Sequence, residues 1–222
     1  MANNGDYESI LKEKESMVEH DLGACIPLIV ISCKDGIVFG TKSFLLLNKI
    51  AEVYDRICFG AIGKNTKWGA LRETVIKQAI VIGSNYARED VRVENLAKVL
   101  GKILDDVYTT PKALPWSVEI ILAEVNEKPE ADKLLIVNYK GMVKSYSGPY
   151  VIIGRNTDNL KAKIQELTRE KKFSEMGFNQ VIKLVRDALA TLEPDENEAE
   201  LKVEIATLSR KKSGRKFERV KN

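Results

Sequence analysis

The sequence predicts an α+β fold: a four-layer αββα sandwich of two antiparallel sheets packed face to face, each flanked by helices. Three observations lead there. Hydrophobic residues make up 44% of the 222-residue chain, enough for one sizeable core. The predicted elements run helix, strands, two helices, strands, two helices, strands, without the regular alternation that marks a doubly wound parallel sheet. Two stacked sheets, each covered outside by two helices, would bury the apolar faces of all these elements. No internal repeat or long linker divides the chain, so residues 1–222 are read as a single domain.

The elements follow in order. Residues 8–22 carry an incomplete apolar stripe, Ile10, Leu11, Met17 and Val18 among many charges, and predict an amphipathic helix preceded by Tyr7. "CIPLIVISCKDGIVFGT" is two apolar runs around Lys34-Asp35-Gly36, a hairpin signal. "YDRICFGAIG" reads as another strand, with Phe44 to Leu47 and Ile50 in a less regular segment before it. From Lys67 to Asn85 the residues Trp68, Leu71, Val75, Ala79 and Ile82 recur at helical steps, with Asn65 or Thr66 as the cap. Asp90 to Val107 repeats the pattern, and two prolines in "YTTPKALPW" end it. "SVEIILAEV", "KLLIVNY", "MVKSY" and "YVIIG" are strands, with Lys140-Gly141 as a tight turn. Thr157 caps a helix through Leu160, Ile164 and Leu167, and a second uses Val181, Ile182, Val185, Leu189 and Leu192. "AELKVEIATLS" and "KFERV" are closing strands, with residues 209–222 a basic strand and tail.

Composition excludes several function classes. Lys and Arg number 35 against 32 Asp and Glu, and the net charge of +3 gives no case for a nucleic-acid partner. No apolar run approaches the ~18 residues needed to span a bilayer, and the polar N-terminus is unlike a secretory signal, so no membrane partner and a cytoplasmic location are expected. Cys25, Cys33 and Cys58 are odd in number and set in apolar runs, which predicts reduced thiols and neither a disulfide framework nor a metal site. His20 is the only histidine, so a Ser-His or Cys-His nucleophile could use only that residue. "RICFGAIGKNT" has the look of a phosphate loop, but Gly60 and Gly63 are two residues apart where four are needed, and Asn65 stands where Ser or Thr would hold magnesium. No cofactor is expected.

"LNKIAEVYDRICFGAIGK" resembles the 20S proteasome α subunit of the bacterial type. The likeness continues through "VENLAKVLGKILDDVY", "KPEADKLLIVNYKGMVKSYSGPYVIIG" and "ELKVEIATLSRKKSGRKFERV" and so covers most of the chain. It implies the sandwich shared with the N-terminal-nucleophile hydrolases, built into a heptameric ring of this chain stacked on proteasome β subunits. Active β members expose an N-terminal threonine at the start of the first strand, released by cleavage after glycine. Here the one Gly-Thr pair, Gly40-Thr41, ends the first hairpin, and Leu22, Gly23, Ala24 and Cys25 precede the first strand. Lys42 falls where β subunits place a catalytic aspartate. The resemblance therefore implies a non-catalytic subunit that templates the β ring, gates admission of unfolded protein substrates and docks a ring-shaped AAA-type ATPase. The alternative is a self-processing peptidase of the same superfamily, for which Cys25 is the candidate nucleophile.

The resemblance also assigns sites. The family's activator-docking pocket lysine aligns with Lys49, the backbone of Gly63 lies beside it, and Lys64 is a third member with a weaker claim. Gly60 is read as a packing glycine. The pocket glutamate of archaeal relatives falls near Ser16, which leaves Glu15 as a stand-in. Met1, Ala2, Asn3, Asn4, Gly5, Asp6 and Tyr7 form a polar, apolar-poor segment suited to a mobile gate over the ring's pore.

Overall fold

The computed structural model describes residues 4–44, 47–169, 171–193 and 200–221. The N-terminal helix α1 spans Asn4–Gly23 and leads into the hairpin β1 (Leu28–Cys33) and β2 (Gly36–Ser43). A second hairpin follows, β3 (Ile50–Tyr54) and β4 (Ile57–Gly63), then helices α2 (Asn65–Asn85) and α3 (Val93–Thr109). The chain continues through β5 (Val118–Glu124), β6 (Lys133–Val137), β7 (Val143–Tyr146) and β8 (Tyr150–Ile153). Helices α4 (Thr157–Thr168) and α5 (Phe178–Ala190) precede the last strands, β9 (Lys202–Ser209) and β10 (Phe217–Arg219).

Among the described residues ten strands form two antiparallel sheets, one ordered β10-β9-β2-β1-β8 and the other β3-β4-β5-β6-β7. Leu28, Val30, Phe39 and Ala206 of the first sheet meet Cys58, Ile62, Ile121 and Ala123 of the second in a continuous inner core. The opposite face of the first sheet, through Ile29, Ile31 and Val38, packs on Leu160, Ile164, Val181 and Val185 of α4 and α5. The outer face of the second sheet, through Phe59, Ile120 and Leu122, packs on Leu71, Val75, Leu96 and Leu100 of α2 and α3. This is the expected four-layer sandwich. It explains why β1 reads LIVISC with no polar alternation: both of its faces are covered. Each fully buried Phe or Leu there contributes roughly 1.5–3 kcal/mol.

Gly60 faces the inner core, where a Cβ would stand 2.7 Å from Leu28 Cδ2, so the expected packing role is a sheet-to-sheet one. The ends of elements depart from expectation. Asp55-Arg56 is a turn, so the run from Tyr54 belongs to a hairpin rather than one strand. The N-cap of α2 is Lys64, and that of α4 is Asn156 in the left-handed region at φ 56. Helix α1 begins at Asn4, ahead of the expected residue 8. Its Tyr7 hydroxyl donates to the Thr109 carbonyl at 3.2 Å, which ties the first turn to the end of α3. No helix among the described residues is long and apolar enough to cross a membrane.

Candidate functional site

The β3–β4 hairpin brings Lys49 and Gly63 together. Lys49 immediately precedes β3, and its carbonyl accepts the Ala61 amide at 3.3 Å, two residues before Gly63 at the end of β4. Its backbone is held from three sides. The Lys49 and Ile50 amides donate to the two oxygens of Glu204 at 3.0 and 3.2 Å, and Arg72 donates to the Asn48 carbonyl at 3.0 Å. Glu204 lies on β9 of the other sheet and also accepts from Ser43 and Arg219, so this carboxylate joins the sheets at the base of Lys49. Glu52, the acidic residue near Lys49 on β3, is paired with Arg215 at 2.6 Å.

Gly63 turns the chain from β4 into α2. Its φ is 99°, a region that L side chains rarely adopt, and a Cβ would lie 2.0 Å from the Ser117 carbonyl oxygen. That same oxygen accepts the Lys64 amide at 3.0 Å. Lys64 is exposed at the amino end of the 21-residue α2, whose N-cap makes no side-chain hydrogen bond. The amides of its first turn already have partners, Thr66 N on Asn65 Oδ1 at 2.7 Å and Lys67 N on Lys64 O at 3.0 Å.

Cys25 is the candidate nucleophile of the rival enzyme, and the structure places it near Lys49 and Gly63. Burial pushes its thiol up, and the Lys49 ammonium and the Gly63 amide pull it part of the way back; Asp21 adds to the rise and Arg155 opposes it. Cys25 therefore shares one electrostatic neighbourhood with Lys49, Gly63, Asp21 and Arg155. Ser117 completes the cluster by donating its hydroxyl to Asp21 at 2.6 Å. No spacing signal joins these residues, because they meet through packing of α1 against the strand ends. Glu15 is engaged elsewhere, in an ion pair with Lys140. Of the gate segment, Asn4–Tyr7 is the first turn of α1, and Met1, Ala2 and Asn3 lie outside the described residues. A cleft of about 530 Å³ lies at the other end of β1, lined by Ser32, Asp132, Tyr146 and Phe173 among others, away from the pocket.

The position a nucleophile would occupy is built shut. The Cys25 amide donates to Leu22 O at 3.0 Å and its thiol to Asp21 O at 3.2 Å, so the residues before β1 are tied into the last turn of α1. Thr41 is fully buried in β2 opposite Leu28, and its hydroxyl donates to the Pro27 carbonyl at 2.7 Å. The Lys42 ammonium donates to Leu192 O at 3.4 Å. His20 is exposed on α1.

The pattern that defines proteasome subunits matches residues 27–208. The chain belongs to the proteasome subunit family. Within the family its relatives are of the bacterial α type. It is 29% identical to the proteasome subunit alpha of Kineococcus radiotolerans over 96% of this chain and 91% of that one. It is 30% identical to that of Sanguibacter keddieii over 96% and 83% of the two chains. It is 32% identical to that of Streptomyces griseus over 87% and 71%.

Proposed function

We propose that the chain is a non-catalytic α subunit of a 20S proteasome core. It forms the outer heptameric ring, templates the β ring, restrains substrate admission through residues 1–7 and docks a ring-shaped AAA-type ATPase in the cytoplasm. The observation that carries this reading, together with the α-type relatives, is the shut nucleophile position. A proteolytic nucleophile of this superfamily needs a free terminal amine and an activated side chain at the start of β1. Cys25, the candidate of the rival self-processing peptidase, offers neither: its amide is bonded into α1 and burial raises its thiol pKa. Cleavage before Cys25 would also sever α1, whose Val18 is fully buried with Tyr108 and Tyr139.

Lys49 and Gly63 support the docking assignment, since a cation beside a backbone position without a side chain suits a terminal carboxylate. Co-expression with a threonine-nucleophile β subunit tests the proposal. The pair should co-purify and cleave fluorogenic peptides, while this chain alone is inert and keeps its N-terminal segment by intact mass. Peptide turnover by the chain alone, with a mature terminus at Cys25, would establish the rival peptidase.

A further inference from the structure

A groove of about 340 Å³ lies between the carboxyl end of α4 and α5. Its floor is apolar, with Leu167 half-buried and Met176 and Leu184 buried. Its rim is basic. Arg169, Lys171 and Lys183 are exposed there, and among the described residues none of the three makes an ion pair or a side-chain hydrogen bond. Lys161 and Lys163 of the same α4 pair instead with Asp158 and Glu166. One acid, Asp187, joins the described lining. Cations that converge without partners repel one another, and an anionic group bound among them removes that cost.

Arg169 carries a second signal. Its φ is 45° and its ψ 52° at the carboxyl cap of α4, the left-handed conformation in which helices commonly end on glycine. Asn156, the other non-glycine residue at positive φ among those described, is of a type that tolerates this region, and arginine is not. A glycine would make the same turn with less strain, so the fold alone gives no reason for a guanidinium here. The dipole of α4 favours a cation near its carboxyl end, which covers Arg169 and Lys171 but not Lys183. That lysine stands in the amino-terminal half of α5, where no dipole favours positive charge.

We propose that this groove docks an acidic segment of a partner protein, with carboxylates on Arg169, Lys171 and Lys183 and an apolar side chain on Leu167, Met176 and Leu184. Arg169 presents a planar fork that holds a carboxylate through two parallel hydrogen bonds. The apolar floor favours a peptide over a nucleic acid, whose phosphates would meet the rim and leave the floor bare. The groove shares no residue with Lys49, Gly63 and Lys64, and docking here stands whether or not those residues hold an activator.

The test titrates the full chain into a fluorescein-labelled octapeptide of Glu and Asp around a central Leu-Leu pair and reads anisotropy. The same peptide with Lys for every acid, and an oligothymidylate of equal negative charge, are the controls. The acidic peptide should bind saturably and more weakly at high salt. Arg169→Gly should weaken it about fivefold or more, while the urea midpoint stays equal or rises, since glycine suits the left-handed turn. Arg169→Lys should keep most of the affinity. The double variant Lys171→Ala/Lys183→Ala, which alters two exposed side chains, should lower affinity at least as much as Arg169→Gly.

Absence of saturable binding, or wild-type affinity in Arg169→Gly and in the double variant, overturns the proposal. So does equal binding of the basic control, or tighter binding of the oligothymidylate, which would make the rim a general polyanion surface. A lowered urea midpoint in Arg169→Gly assigns the left-handed arginine to the fold. The double variant then decides, and wild-type affinity in it overturns the docking groove.

Discussion

Replacing Lys49 with alanine should abolish ATPase-dependent protein degradation while small-peptide hydrolysis by the same particles continues. The ammonium removed is the cation that would face the activator's terminal carboxylate, and a charge-assisted contact of this kind is worth roughly 1.5–3 kcal/mol. Several equivalent pockets act around one ring, so a modest loss at each multiplies into near-complete loss of docking through avidity. Under the proposed function peptide hydrolysis should persist, since the peptidase centres would belong to the β ring. The substitution is mild for the fold: the Lys49 backbone is anchored by Glu204 and Ala61, and those bonds survive truncation of the side chain. A purely structural lysine at this place would leave both activities at wild-type level within the small effect of a surface ion pair. Comparing both activities in one preparation decides the matter, since equal wild-type rates refute the pocket role and loss of both signals failed assembly.

The second large effect is on stability. Asp132 is nearly inaccessible, with a side chain 1% exposed against 9% for its partner Arg210. Its Oδ1 accepts from Asn126 N and Arg210 Nη1, both at 2.8 Å, and its Oδ2 from Arg210 Nη2 at 2.9 Å and Ser32 Oγ at 2.6 Å. This carboxylate ties the end of β1, the connection after β5 and the segment after β9 into one knot across both sheets. Arg210 also donates to the carbonyls of Cys33 and Lys34. Asp132→Ala leaves a buried guanidinium facing only carbonyls and should cost about 3–5 kcal/mol, whereas replacing both partners with apolar residues of similar volume should cost far less. Urea denaturation of the wild type, Asp132→Ala and Asp132→Leu/Arg210→Met checks this. A double variant less stable than Asp132→Ala would show that the pair stabilises by its own attraction rather than by mutual compensation.

The layers of the sandwich were legible because the periods are clear. The stripe Trp68, Leu71, Val75, Ala79 is the buried face of α2, and the unbroken apolar run of β1 is what a strand covered on both sides requires. Boundaries were less legible because tertiary bonds replaced local signals. The cap position of α2 falls on Lys64, whose amide is bonded to Ser117 O, while Asn65 contributes only its Oδ1, which accepts the Thr66 amide at 2.7 Å. The Asp55-Arg56 turn contains neither glycine nor proline to announce it. The N-terminal helix runs further back than its apolar stripe because Tyr7 finds a partner at the end of α3. Lys49 and Gly63 are close because one hairpin carries both, the Lys49 carbonyl accepting the Ala61 amide two residues before Gly63. Asp21, Cys25 and Ser117 come near Lys49 and Gly63 from α1, the segment after it and the approach to β5, and no pattern along the chain encodes that meeting.

If this chain forms a gated, non-catalytic ring, deletion of residues 1–7 should open the pore. Core particles assembled with the shortened chain and with the full chain are compared, without ATPase, for degradation of an unstructured protein and hydrolysis of a short fluorogenic peptide. A polar segment over the pore should obstruct the larger substrate more than it supports the fold. The deletion should markedly speed breakdown of the unstructured protein in particles of unchanged assembly. An unchanged rate in particles of normal mass would contradict it.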